Sequence, residues 1–312
     1  MDDETNDNIF KQTFKYYKQK ATQPSFDDVI DFKNARNLDS VIVKQVPSPS
    51  NDLIGELGLK YKENWEIYEL KKVPGLFIIP NSFTDKGRRM WANKCVTEYF
   101  KKPHETNVDP FDDNPDKMWE SSCEYLQSNA GKGSCTYEDS LSLLKCCPIW
   151  KLRWATLGYH HNWNSKQYSE QPCSELPSEL RKTSKLFASM IGTDDFKAEA
   201  SIVNYYHVGN ALSPHDDTSE LYLEAPLVSL SFGLSAVFLI GGTSKDQKPE
   251  ALFIRSGDVI IMSGASRLAY HAVPRILKPT SDAQLKSSSV ADNLDLFMSH
   301  SRLNINIRQV HS

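Results

Sequence analysis

His215 and Asp217 are separated by one residue, within Ser213-Pro214-His215-Asp216-Asp217, and a further histidine, His271, lies downstream. On a β-strand, residues i and i+2 point to one face. This spacing therefore predicts an imidazole nitrogen and a carboxylate oxygen presented to one metal ion. His271 would complete a set of two histidines and one carboxylate, which leaves coordination positions open and suits non-haem Fe(II). Asp216 points the other way and is not counted as a ligand. Other histidines compete poorly. His104, His300 and His311 sit in polar or terminal stretches, and His207 has no carboxylate at ligand spacing.

Two further groups have the chemistry to serve such a site. Arg302, Asn304, Asn306 and Arg308 alternate with Leu303, Ile305 and Ile307, so one strand face is polar and the other apolar. The polar face either meets water or lines a cavity. In a cavity, its two guanidinium forks match the two ends of a dicarboxylate. Asn204 and Tyr206 share a face of an earlier strand. Their amide and phenol are suitable donors to a carboxylate, and equally suitable as ordinary sheet residues.

The elements that must position these groups are strands. From Trp150 onward, short strands are expected at 199–207, 227–232, 236–240, 251–254, 258–262, 267–272 and 303–309, punctuated by Gly and Pro. A helix over 178–191, capped by Ser178 and stopped by Gly192, interrupts them. The fold class expected is mainly β within α+β: a double-stranded β-helix, or jelly roll, with flanking N-terminal helices. Before it, Phe10, Phe14 and Tyr17 mark an amphipathic helix over 8–20. Residues 21–62 read as extended chain and loop, with Pro47 to Asn51 as a loop. A buried strand is expected at 76–79, a helix at 84–101, loops at 103–116 and 128–139, and a short helix around Trp119. Residues 278–300 read as a polar insertion with a short helix near 294–298. The division expected is 1–149 as a helical, substrate-recognising region and 150–312 as the jelly-roll domain.

Bulk properties bound the function. The 312 residues suffice for a sizeable core. No apolar run approaches the ~18–20 residues of a membrane span. The six cysteines form no C-x-x-C pair, and reduced intracellular thiols are expected. The net charge of −4 requires any basic surface to be local, with Lys151, Arg153, Lys245 and Arg275 as candidates.

Read together, these pieces resemble the AlkB family of Fe(II)/2-oxoglutarate dioxygenases, in its homologue-one branch. The resemblance is carried by Asn204-Tyr205-Tyr206, His215-Asp216-Asp217, Ser229-Leu230-Ser231-Phe232-Gly233, Ser256-Gly257-Asp258, His271-Ala272-Val273-Pro274-Arg275 and Arg302 to Arg308. It extends upstream to Gly158-Tyr159-His160-His161-Asn162-Trp163 and covers nearly the whole chain. It implies His215, Asp217 and His271 as iron ligands. It implies Asn204, Tyr206, Arg302, Asn304 and Arg308 as 2-oxoglutarate contacts, and Trp119, Tyr159, His160 and His161 near the nucleotide. His161 stands where this branch carries Tyr. O2 is the second co-substrate. The activity implied is oxidative demethylation of an unpaired or flipped-out base, in tRNA (1-methyladenine, 5-methylcytosine) or DNA (N6-methyladenine). The alternatives are a protein side-chain dioxygenase on the same fold and a non-catalytic nucleic-acid-binding module. A monomer without membrane attachment is expected, in the nucleus or cytoplasm, with the mitochondrion as a further compartment.

Overall fold

The structure, a computed structural model, describes residues 8–33, 39–112, 114–129, 136–279 and 292–312. Two antiparallel sheets face one another. The larger has nine strands in the order Val41–Pro47, Asn64–Leu70, Leu76–Ile79, Val259–Met262, Leu227–Gly233, Ser301–Arg308, Ala200–His207, Trp154–Gly158 and Glu105–Thr106. The smaller has four: Glu250–Ile254, Ala236–Ile240, His271–Ile276 and Leu212–His215. This is the jelly roll that the strand pattern predicts. The larger sheet draws strands from both sides of residue 150, so one sheet runs through both segments.

Alternation along the strands builds three apolar layers. Between the sheets lie Leu76, Ile78, Tyr206, Leu227, Phe238, Ile240, Leu252, Ile260 and Val273, among others. Their neighbours Phe77, Ile79, Val203, Tyr205, Val228, Phe232, Leu303 and Ile305 point to the opposite face of the large sheet. There they meet the helices Asp85–Thr97, Met118–Asn129, Tyr137–Lys145 and Ser178–Ser189. On the outer face of the small sheet, the helix Ile9–Lys18 buries Phe10, Phe14 and Tyr17 against Val237, Leu239, Ala251 and Ala272. Asn8 caps that helix by accepting from Lys11 N. Arg275 clamps its far end by donating to the carbonyls of Tyr17 and Gln19.

Several elements depart from expectation. The region 21–62 contains the strand Val41–Pro47 and the helix Asn51–Leu57. The strand lies at the sheet edge with only Val41 buried, so it has no alternation to read. Ser50 caps the helix, and Gly58, at φ 67°, ends it. The helix Tyr137–Lys145 begins inside the stretch read as a loop to 139, capped by Thr136. The strand expected at 267–272 is displaced to His271–Ile276, after a 3-10 turn at Gly264–Leu268. Pro274 hides it, because proline is tolerated inside a sheet only at irregularities; here the register against Ala236–Ile240 shifts around it. Ser178 opens its helix after Pro177 rather than capping it. The short helix expected near 294–298 is Asn293–Met298; of the 278–300 insertion, residues 280–291 lie outside the described residues.

Candidate active site

Strand pairing brings the proposed ligands together. His215 ends the strand Leu212–His215 and lies directly opposite His271 on His271–Ile276. Their ring centroids are 4.3 Å apart. The i, i+2 expectation is only half strand geometry: the strand ends at His215, and Asp217 reaches the same point from the following loop. Asp217 Oδ1 lies 3.9 Å from His215 Nε2, and Asp217 Oδ2 lies 3.7 Å from His271 Nε2. Each imidazole has its Nδ1 on a backbone carbonyl, Ser213 O at 2.9 Å and Ala269 O at 3.1 Å. An Nδ1–H donor there fixes the tautomer and leaves the Nε2 lone pair directed at the carboxylate. Burial pushes His271 down to about 4, with His215 adding to the effect, so this ring is neutral as a metal ligand must be. Burial opposes ionisation of Asp217, but Arg308, His271 and His215 outweigh it and hold its carboxyl far below the usual range. The three donor atoms all lie within 4.8 Å of one another, and this donor set suits Fe(II).

The set opens into a cavity of about 670 Å³ between the sheets. The polar face of Ser301–Arg308 lines it rather than meeting water: Arg302, Asn304 and Arg308 are all buried. Asn204 and Tyr206 stand opposite Asn304 and Arg302 on the neighbouring strand and line the same wall. The two arginines are not equivalent. Arg308 Nη2 donates to Asp217 Oδ2 at 2.8 Å, and its Nε lies 2.9 Å from Glu220 Oε1. Its charge is already matched. Arg302 donates only Nη2, to Ser231 Oγ at 3.0 Å, while its buried Nε and Nη1 have no partner. Burial lowers it to about 10, so it is still a cation at neutral pH. A buried fork of this kind fits a carboxylate end of 2-oxoglutarate. Asn304 Nδ2 is engaged by Ser229 Oγ and the Leu230 carbonyl, which fixes the amide in the wall.

Similarity to known proteins bears on what this arrangement is. The family model described as the 2OG-Fe(II) oxygenase superfamily matches residues 75–308. The human nucleic acid dioxygenase ALKBH1 is 39% identical over 286 residues, covering 88% of this chain and 71% of that protein. The chain belongs to the AlkB family of Fe(II)/2-oxoglutarate oxygenases. The tRNA demethylase abh1 of Schizosaccharomyces pombe is 32% identical, covering 97% of this chain and 96% of that protein. The DNA N(6)-methyladenine demethylase ALKBH1A of Arabidopsis thaliana is 32% identical, covering 76% and 75%.

As an AlkB-family dioxygenase the chain uses Fe(II), 2-oxoglutarate and O2. Of the residues expected near its substrate, only His161 lines the cavity, beside Trp163 at a ring distance of 4.7 Å. Trp119 is buried among the helices against Phe297. Tyr159 packs against His311. His160 is buried, with Glu105 rather than the cavity beside its ring. Trp119, Tyr159 and His160 thus do not line the cavity, since aromatic type alone does not separate a core position from a cavity wall. Among the candidate basic residues, Lys245 lines the cavity, whereas Arg275 is occupied by the N-terminal helix and Arg153 donates to Trp150 O.

Sequence reasoning assigned no role to Glu220 and Arg267. Both are buried, with Arg267 Nη2 2.8 Å from Glu220 Oε2. Arg267 also donates to the Asp217 carbonyl, and Tyr168 donates to Glu220 at 2.9 Å. The loop carrying Asp217 is thus held by a buried ionic group. The sequence signal was slight: two opposite charges, one three residues after Asp217 and the other four before His271.

Proposed function

We propose that the chain oxidatively removes methyl groups from bases in nucleic acid, with His215, Asp217 and His271 holding Fe(II) and Arg302 holding the far carboxylate of 2-oxoglutarate. When bound, the iron with 2-oxoglutarate and O2 supplies the oxidising power that hydroxylates a methyl group. The observation that carries the reading is two Nε2 donors and a carboxylate in one cavity with a buried, half-unpaired guanidinium. Arg308 and Arg267 keep Asp217 ionised and in place. Phe238, Ile260, Met262 and Val273 line the same cavity and exclude water. Asn204 and Tyr206 border Arg302 and orient the co-substrate. His161, Trp163, Lys166 and Lys245 lie along the cavity and form the face offered to an extruded base and its backbone. The names of the human, fission-yeast and Arabidopsis relatives support nucleic acid as the substrate class. A monomer is the assembly state proposed, and light scattering in solution tests it. No helix among the described residues is long and apolar enough to cross a membrane.

Succinate release measured with methylated tRNA, methylated DNA and a methylated peptide tests the substrate class. Turnover with either nucleic acid, and none with peptide, is expected. Turnover with peptide alone, or no turnover in the iron-loaded protein, would overturn the reading. Asp217→Ala is expected to abolish iron retention and turnover while the circular dichroism spectrum is unchanged; retained turnover would remove Asp217 from the ligand set.

A further inference from the structure

Away from the cavity, a second group of metal-type donors converges. Glu105, His160 and Cys173 each offer an atom within 4.8 Å of the others. None of the three lines the cavity. Each is fixed by backbone bonds. Glu105 pairs with Thr156 in the antiparallel register of the large sheet. Cys173 N donates to the Gly158 carbonyl at 3.0 Å, and Ser169 N donates to the His160 carbonyl at 2.8 Å. Gly158 is required at this crossing, because at φ 74° a Cβ there would lie 2.1 Å from the Glu199 carbonyl oxygen.

His160 is the informative member. Its side chain is 5% exposed, yet neither ring nitrogen makes a hydrogen bond. Glu105 Oε1 lies 3.0 Å from Nδ1 but out of line for one. A buried imidazole normally has its nitrogens satisfied. An ion held between the carboxylate, the thiol and this ring would take one of the two nitrogens as its ligand.

We propose that Glu105, His160 and Cys173 form a second metal site, selective for Zn(II), that cross-links three segments at the base of the cavity-mouth hairpin. Thiolate, imidazole and carboxylate are all zinc ligands, and the sulfur separates this set from the nitrogen and oxygen donors at His215, Asp217 and His271. Three protein ligands leave the fourth position to water. On binding, the Cys173 thiol loses its proton to solvent and the thiolate becomes the ligand; no redox change is involved. The hairpin pairs His161 with Tyr168 and Asn162 with Gln167, immediately after His160. His161, Trp163, Lys166 and Tyr168 from it line the cavity. The ion would fasten that substrate-facing hairpin to the edge strand Glu105–Thr106.

Cobalt(II) titrated into the full chain tests the site. The His215 set contains no sulfur, so thiolate-to-cobalt charge-transfer absorption in the near ultraviolet reports a cysteine-bearing site, and Cys173→Ser separates the Cys173 set from the other thiols. The absorption is expected to saturate at one equivalent, to persist in Asp217→Ala and to vanish in Cys173→Ser. Its absence from the wild-type chain, its persistence in Cys173→Ser, or a need for large metal excess would overturn the proposal. A second measurement needs no variant. Zn(II) should protect Cys173 from alkylation, read by peptide mass spectrometry, while the exposed Cys146 reacts as before. Equal alkylation of Cys173 with and without Zn(II) would also overturn it.

Discussion

Glu220 holds the metal-binding loop together through charge. It sits between Arg267 and Arg308, and each of these also touches Asp217. Removing it leaves two buried guanidiniums with one carboxylate fewer. Breaking a buried pair in this way costs about 3–5 kcal/mol. Glu220→Ala should therefore lower the urea midpoint by a corresponding amount. Glu220→Gln, which keeps an acceptor for Arg267, should recover part of the loss; equal stability of the two variants would show that volume rather than polarity matters there. At Arg302 the issue is geometry. Lysine keeps the charge but not the fork. A charge-assisted hydrogen bond is worth about 1.5–3 kcal/mol, so Arg302→Lys should raise KM for 2-oxoglutarate by roughly 10–150-fold. The rate constant at saturation should be nearly unchanged, since the contact is made in ground and transition states alike. An unchanged KM would place the co-substrate elsewhere. The residues behind these two predictions differed in how readable they were. Arg302 announced itself by alternating with Leu303 and Ile305. Glu220 could not, because nothing in a local stretch tells whether a glutamate will be buried beside an arginine nearly fifty positions away.

At the scale of elements, the central strands were legible and the edges were not. Ser301–Arg308 carries a strong period-two pattern, with one apolar face and the other lining the cavity, and Ala200–His207 is an almost wholly buried run between turn signals. Val41–Pro47 lies at an edge, and His271–Ile276 carries a proline at its irregularity, so local pattern misplaced both. The pairing that sets His271 opposite His215 is a property of the assembled sheet, which is why spacing along the chain identified the residues without their geometry. One interior element makes a pH prediction. His207 ends its strand fully buried, stacked on Trp150 at 3.6 Å. Its nitrogens lie 2.9 Å from Ser301 Oγ and 3.1 Å from the Trp150 carbonyl, tying the strand to the turn Pro148–Lys151. Burial, aided by the charge of Arg153, pushes it down to about 3. An unfolded histidine protonates near ~6.5. Between these values the unfolded chain binds the extra proton, so stability falls as pH drops through that window. His207→Gln lacks this proton. The stability gap between wild type and variant should be widest near neutrality and shrink steadily as pH falls towards 3, in urea titrations at a series of pH values. A gap independent of pH would mean that the ring titrates in the fold as it does in the unfolded chain.

For the whole molecule, the question is how a chain with a net charge of −4 holds a polyanion. Attraction must come from the cavity mouth. Lys166 lies in the turn of the hairpin, and Lys245 lies over the ring of Tyr270 at 4.6 Å. Both line the cavity that holds the proposed iron ligands, so each is placed to meet the backbone of a strand whose base reaches the metal. Each phosphate contact on a single strand contributes ~0.7 to the slope of log affinity against log salt. Replacing both lysines by alanine should weaken binding of single-stranded oligonucleotide and flatten that slope by about 1.4. Turnover at saturating substrate should hold, because neither residue touches the iron set. Trp163 supplies the complementary term. It is half-exposed and packs at 5.3 Å from Trp154, so its ring offers a face on which a base can stack. Trp163→Ala should cost about 1–3 kcal/mol of binding and leave the salt slope unaltered. The two sets of variants thus separate charge from stacking. If the lysine pair leaves the slope unchanged while Trp163→Ala abolishes binding, nucleic acid reaches the cavity across the aromatic wall of the hairpin and not past the lysines.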